Sequence, residues 1–68
     1  MKVSALLMEM PSRQMVGIYD KNRGRFIALG KVKGYLKLQK DNYLNEEVEA
    51  IDVDKDTGAI IIMVGADD

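Results

Sequence analysis

Six consecutive apolar residues, Ala59-Ile60-Ile61-Ile62-Met63-Val64, constrain a chain of 68 residues more than any other feature. The run falls far short of the roughly 18 apolar residues of a membrane-crossing helix, and it reads as a strand. Side chains alternate across a strand, so Ile60, Ile62 and Val64 face one way and Ala59, Ile61 and Met63 the other. Both sides of such a strand favour burial. An earlier segment repeats the pattern, with Val16 and Ile18 on one side and Met15 and Tyr19 on the other. Two short helices cover one face of a small sheet and leave an apolar stripe on the other. Burying three aliphatic side chains is worth about 5–8 kcal/mol before ordering costs, a large amount for so small a domain. A homo-oligomer is therefore expected, with Met15, Ile60, Ile62 and Val64 at the contact. The alternative places the helices on opposite faces and needs no second copy.

The remaining elements follow from period and punctuation. Val3, Leu6, Leu7 and Met10 share one helical face. Ser4 is the expected N-cap and Pro11 the stop, which gives a helix over about residues 4–10. Residues 14–19 read as a strand and 25–29 as its return. Asp20-Lys21-Asn22-Arg23-Gly24 forms the turn between them. Residues 31–40 are helical by period, with Val32, Tyr35, Leu36 and Gln39 on one face and Lys33, Lys37 and Lys40 on another. Gly34 weakens that helix, which suggests close packing or close approach of a ligand. Tyr43 and Leu44 are expected to fold back onto the core. Residues 48–53 and 59–64 form a second hairpin around Asp54-Lys55-Asp56-Thr57-Gly58, with Gly58 in a left-handed position. The expected fold is a single α+β domain over residues 1–68, a four-stranded, mainly antiparallel sheet with two helices in the order αββαββ.

Composition excludes several chemistries. With 47% apolar and 31% charged residues the chain is globular. It contains no Cys and no His, so disulfides, thiol nucleophiles, imidazole bases and the usual zinc ligands are lacking together. Asp52-x-Asp54-x-Asp56-x-Gly58 imitates a calcium loop, but its glycine sits one position late and Met63 stands where a bidentate glutamate belongs. Glu46, Glu47, Glu49 and Asp52 offer carboxylates without the cleft that acid–base work needs. No catalytic residue, metal ligand or cofactor is assigned, and no enzymatic activity is expected. The opening apolar run is interrupted by Glu9 and lacks a small-residue cleavage site. Absent cysteine fits a reducing compartment, so a cytoplasmic location without membrane contact is expected.

The net charge of −1 hides a polarity. Residues 1–40 hold nine cations and two anions, whereas residues 41–68 hold one cation and nine anions. Either the halves interleave in the sheet and cancel, or a basic patch survives and attracts an anion. In the second case Arg23, Arg25 and Lys31 are the candidate ligand-binding cations, with Tyr19 and Tyr35 stacking on a base. The start of the second helix would add backbone amides. The other possibility is a solvated basic turn. Nucleic acid is a disfavoured partner, because the acidic half repels a phosphate backbone.

The opening Met1-Lys2-Val3-Ser4-x-Leu6-Leu7, the Met10-Pro11 stop, the Val16-x-Ile18-Tyr19-Asp20 strand and the closing Val53-x5-Ala59-Ile60-Ile61-Ile62 hairpin together resemble small α+β proteins encoded by phages and prophages of Gram-positive bacteria. That resemblance implies one of two roles: oligomers that sequester nucleotide signals of bacterial defence, or inhibitors that contact a host protein. It transfers no functional residue. The leading expectation is a non-enzymatic, oligomeric binding protein for a small anionic or nucleotide ligand. A module that binds a host protein is the alternative, and a nucleic-acid-binding accessory protein the third reading.

Overall fold

A computed structural model describes residues 1–37 and 42–65, with backbone alone for residues 35–37, 42 and 43. The elements are α1 (Val3–Met8), β1 (Met15–Asp20), β2 (Arg25–Lys31), α2 (Val32–Lys37), a 3-10 turn (Asn42–Asn45), β3 (Ala50–Val53) and β4 (Ile60–Val64). The α+β class holds. The sheet, however, is mixed rather than mainly antiparallel, and the 3-10 turn interrupts the expected order. Its strands run β2-β1-β4-β3. Two antiparallel hairpins are joined by a parallel β1–β4 pairing, from Val16 opposite Ile60 to Asp20 opposite Val64.

Each hairpin closes by local chemistry. The first turn places Gly24 at φ +66°, and its amide donates to the Asp20 carbonyl at 2.8 Å. The Asp20 carboxylate accepts from the Asn22 amide at 2.9 Å. In the second, Asp54 accepts from the Asp56 amide at 2.9 Å, and Gly58 takes φ +76°, the left-handed position expected of it. A register shift between Ile18 and Tyr19 inserts Ile27 as an extra residue in β2.

Both helices lie on one face of the sheet. Val3 and Leu7 of α1, Val32 of α2 and Leu44 of the 3-10 turn bury against Val16, Ile18, Ile62 and Val64. Helices of six residues are too short to persist alone, so this packing holds them. No side chain caps α1, whose N-cap is Lys2 rather than Ser4. Its start is tied instead to the approach to β3: the Val3 amide donates to the Glu46 carbonyl at 3.0 Å, and the Val48 amide to the Met1 carbonyl at 2.8 Å.

The phase of β4 is opposite to the interface expected from sequence. Ile62 and Val64 are fully buried in the chain's own core and Ile60 packs against it, so these three are not available to a second copy. The reason is register. Parallel pairing sets Ile60, Ile62 and Val64 beside Val16, Ile18 and Asp20, and neighbours in register share a face. Met15 lies on the opposite face, as expected. Leu44 is buried as expected, whereas the side chains of Tyr35, Leu36 and Tyr43, and residues 38–40, lie outside the described residues. A Cβ built on Gly34 meets nothing within 4 Å, so neither close packing nor a closely approaching chain segment requires that glycine. No described helix is long and apolar enough to cross a membrane.

Ile18→Ala or Ile62→Ala should destabilise the fold by about 2–5 kcal/mol, enough to abolish cooperative unfolding in urea for a domain of this size. Ile51→Ala, at a residue 52% exposed on edge strand β3, should cost less than about 1 kcal/mol. Gly34→Ala should raise stability by about 0.5–1 kcal/mol, read in the same urea titrations.

Candidate functional site: the open sheet face

The face of the sheet turned away from the helices has no covering layer among the described residues. Pairing defines its rows. Leu29, Gly17, Ile61 and Asp52 lie side by side across the four strands, and Phe26, Tyr19, Met63 and Ala50 form the next row. On the other side of the first row, Lys31 pairs with Met15, and Asp54 donates its amide to Ala59. The face is apolar and most open along edge strand β2 and at the start of β1, where Leu29 is 71% exposed, Phe26 52% and Met15 37%; at its centre Gly17 is buried and Tyr19, Ile61 and Met63 are half-buried.

Gly17 shapes this surface. A Cβ there would come 3.1 Å from Phe26 Cε1 and 3.5 Å from Leu29 Cδ1, so the glycine lets β2 side chains lean inward over β1. Phe26 then meets Tyr19 edge to face, with ring centroids 5.2 Å apart and planes at 78°. Between these side chains and the second hairpin runs a groove of about 290 Å³, floored by Gly17 and Ile61 and walled by Phe26 and Leu29 on one side and Asp54 and Thr57 on the other. Ile61 and Met63 lie on this face, opposite Ile60, Ile62 and Val64 as the alternation predicts, but they were not among the residues expected at the contact. With both faces of β4 apolar, no sequence signal separates them.

The expected anion site does not assemble. Arg25 and Lys31 stand at opposite ends of β2, about 20 Å apart at strand rise. Arg23 turns to Asp20, Nε to Oδ2 at 3.6 Å, and lines a separate cavity of about 310 Å³ that also holds the carboxylates of Asp20 and Glu46. Two acids around one guanidinium do not favour an anionic ligand. Tyr19 lies on the open face against Phe26 rather than beside Arg23, and the Tyr35 side chain lies outside the described residues. The first amides of α2 are already used: Val32 donates to the Gln14 carbonyl and Lys33 to the Ser12 carbonyl, both at 3.0 Å. Of the lysine stripe, only Lys33 has a described side chain. Among the described residues no group of three acidic side chains could hold a metal ion.

The charge polarity survives folding. Within the sheet, residues 1–40 supply β1 and β2 and residues 41–68 supply β3 and β4, side by side in the order β2-β1-β4-β3, whereas at the start of α1 Met1 and Lys2 sit beside Glu47. On the open face, Lys31 marks the β2 edge, and Asp52 and Asp54 mark the β3 edge. The β3 edge itself is partly closed, because the Val53 amide donates to Asp52 Oδ1 at 2.8 Å.

No family model, curated protein or solved structure matches the chain.

At the far end of the molecule the N-terminal ammonium donates to Glu47 at 2.9 Å. That hydrogen bond and the ammonium's charge hold the Glu47 carboxyl below the usual carboxylate range. A lowered folded-state pKa stabilises above the unfolded value, and the effect is lost as pH falls through the folded value. Glu47→Gln should therefore lower stability slightly at neutral pH. The difference from wild type should shrink as pH falls below the ordinary carboxylate range, in denaturant titrations at neutral and acid pH.

Proposed function

We propose that this chain is a non-enzymatic protein-interaction module that works by burying the open face of its sheet against another protein surface. The observation behind this reading is one sheet with two unlike faces. One is packed under α1 and α2, while the other offers Leu29, Phe26 and Met15 to solvent around an apolar groove. Contiguous exposed apolar surface of this kind marks contact sites in soluble domains. Aromatic and methionine side chains are favoured at the centres of such contacts. The composition agrees, since a chain without His or Cys lacks the commonest acid–base and nucleophilic groups.

A small anionic or nucleotide ligand has less in its favour, because Arg25 and Lys31 lie at opposite ends of one strand and Arg23 is held by an acid. For a protein partner, the resemblance to phage-encoded proteins implies a host component.

A photoreactive side chain placed at Leu29 should give covalent adducts with protein, either in the purified sample or in a lysate. The same group at Lys21, exposed in the first hairpin turn, should give several-fold less. Equal labelling at both positions, or none at Leu29 in either sample, would overturn the reading.

A further inference from the structure

We infer that the open face is covered by a second copy of this chain, stacked face to face about a two-fold axis parallel to the strands. This rests on the reading of that face as a contact surface and names its occupant.

Charge selects the occupant and its orientation. A two-fold axis along the strands, lying between the stacked sheets, sets β2 of one copy over β3 of the other and β1 over β4. The basic β2 edge of each copy then meets the acidic β3 edge of its mate, so Lys31 lies over Asp54, and Leu29 over Asp52, twice by symmetry. Aligned sheets rotate by about 30°, which displaces the outer strands by about one residue and leaves these groups within reach of a lysine side chain. The other in-plane axis, perpendicular to the strands, would set β3 over β3 and Asp52 over its own copy, a like-charge arrangement that costs affinity.

The same operation sets Tyr19 over Met63 and, at three places, a large side chain over a small one. Phe26 comes over Ala50, Ile61 over Gly17, and Met15 over Ala59. Size agrees as well. Four strands about 4.8 Å apart and about 17 Å long present roughly 300 Å² in projection and about twice that in accessible area. Two such faces together bury on the order of 1,000 Å², the lower bound of a specific interface. The product would be an eight-stranded sandwich with helices outside and both apolar faces dry.

Sedimentation equilibrium and native mass measurement across a concentration series test this, with ¹H–¹⁵N spectra establishing that each variant is folded. Wild type should dimerise. Leu29→Glu, which sets a like charge over Asp52 of the mate, should abolish dimers, and Met15→Lys is a second disruptor on the neighbouring strand should the first perturb folding. Lys31→Glu and Asp54→Lys should each weaken the dimer about tenfold. The Lys31→Glu/Asp54→Lys pair should recover most of that loss, and added salt should weaken the wild-type dimer.

A folded wild type that stays monomeric at about 1 mM would overturn the inference. So would a dimer indifferent to both Leu29→Glu and Met15→Lys, or charge variants without the reciprocal rescue. Monomeric protein that still cross-links through position 29 to a different protein in lysate would refute the second copy and leave the interaction-module reading standing.

Discussion

The parallel pairing of β1 with β4 is the contact on which the rest of the molecule depends. Each hairpin is local and closes through its own turn. The β1–β4 ladder joins residues more than forty positions apart and sits at the centre of the sheet. Closing a loop of that length costs entropy that grows only slowly with length. The return is a continuous ridge: Val16, Ile18, Ile60, Ile62 and Val64 all lie on one face, and that face is what α1, α2 and the 3-10 turn pack against. Without the ladder, neither hairpin has a face wide enough to hold a six-residue helix, and neither helix persists alone.

Economy of length then decides the surface. Among the described residues, two helices and one 3-10 turn lie over four strands. They cover the middle of one face and do not reach its edge, where Ile51 and Val53 of β3 remain about half exposed. The other face receives no covering element from the described residues. Gly17 lets Phe26 and Leu29 lean over β1, which shields the strand backbone but leaves the side chains themselves in water. A domain this small buries only about 60% of its unfolded surface, and here the shortfall falls on the open face and on the uncovered β3 edge of the other.

Topology also explains why the charge asymmetry of the sequence is not averaged away. The central strands β1 and β4 carry one charge between them, Asp20, while edge strand β2 carries Arg25 and Lys31 and edge strand β3 carries Asp52, so the two signs stand at opposite edges of the sheet. The result is an apolar face with oppositely charged margins, a pattern complementary to itself under one two-fold operation.

Local features were legible in the chain. The glycine turns, the two hairpins, the burial of Val3 and Leu7, and the core side of Val16 and Ile18 follow from periods and turn chemistry acting within a few residues. The shortage of cover over one sheet face also followed, from counting two short helices against four strands. The identity of the residues on that face did not. Ile60, Ile62 and Val64 are indistinguishable from Ile61 and Met63 by polarity, so only the register against β1 assigned them to the core. Nor could proximity in sequence show that Arg25 and Lys31 would be held at opposite ends of one extended strand. Residue type and spacing determined which segments became strands and helices. The long-range pairing alone decided which side of each strand is inside and which charges are neighbours, because a two-residue alternation with both phases apolar carries no energy difference until another strand is placed beside it.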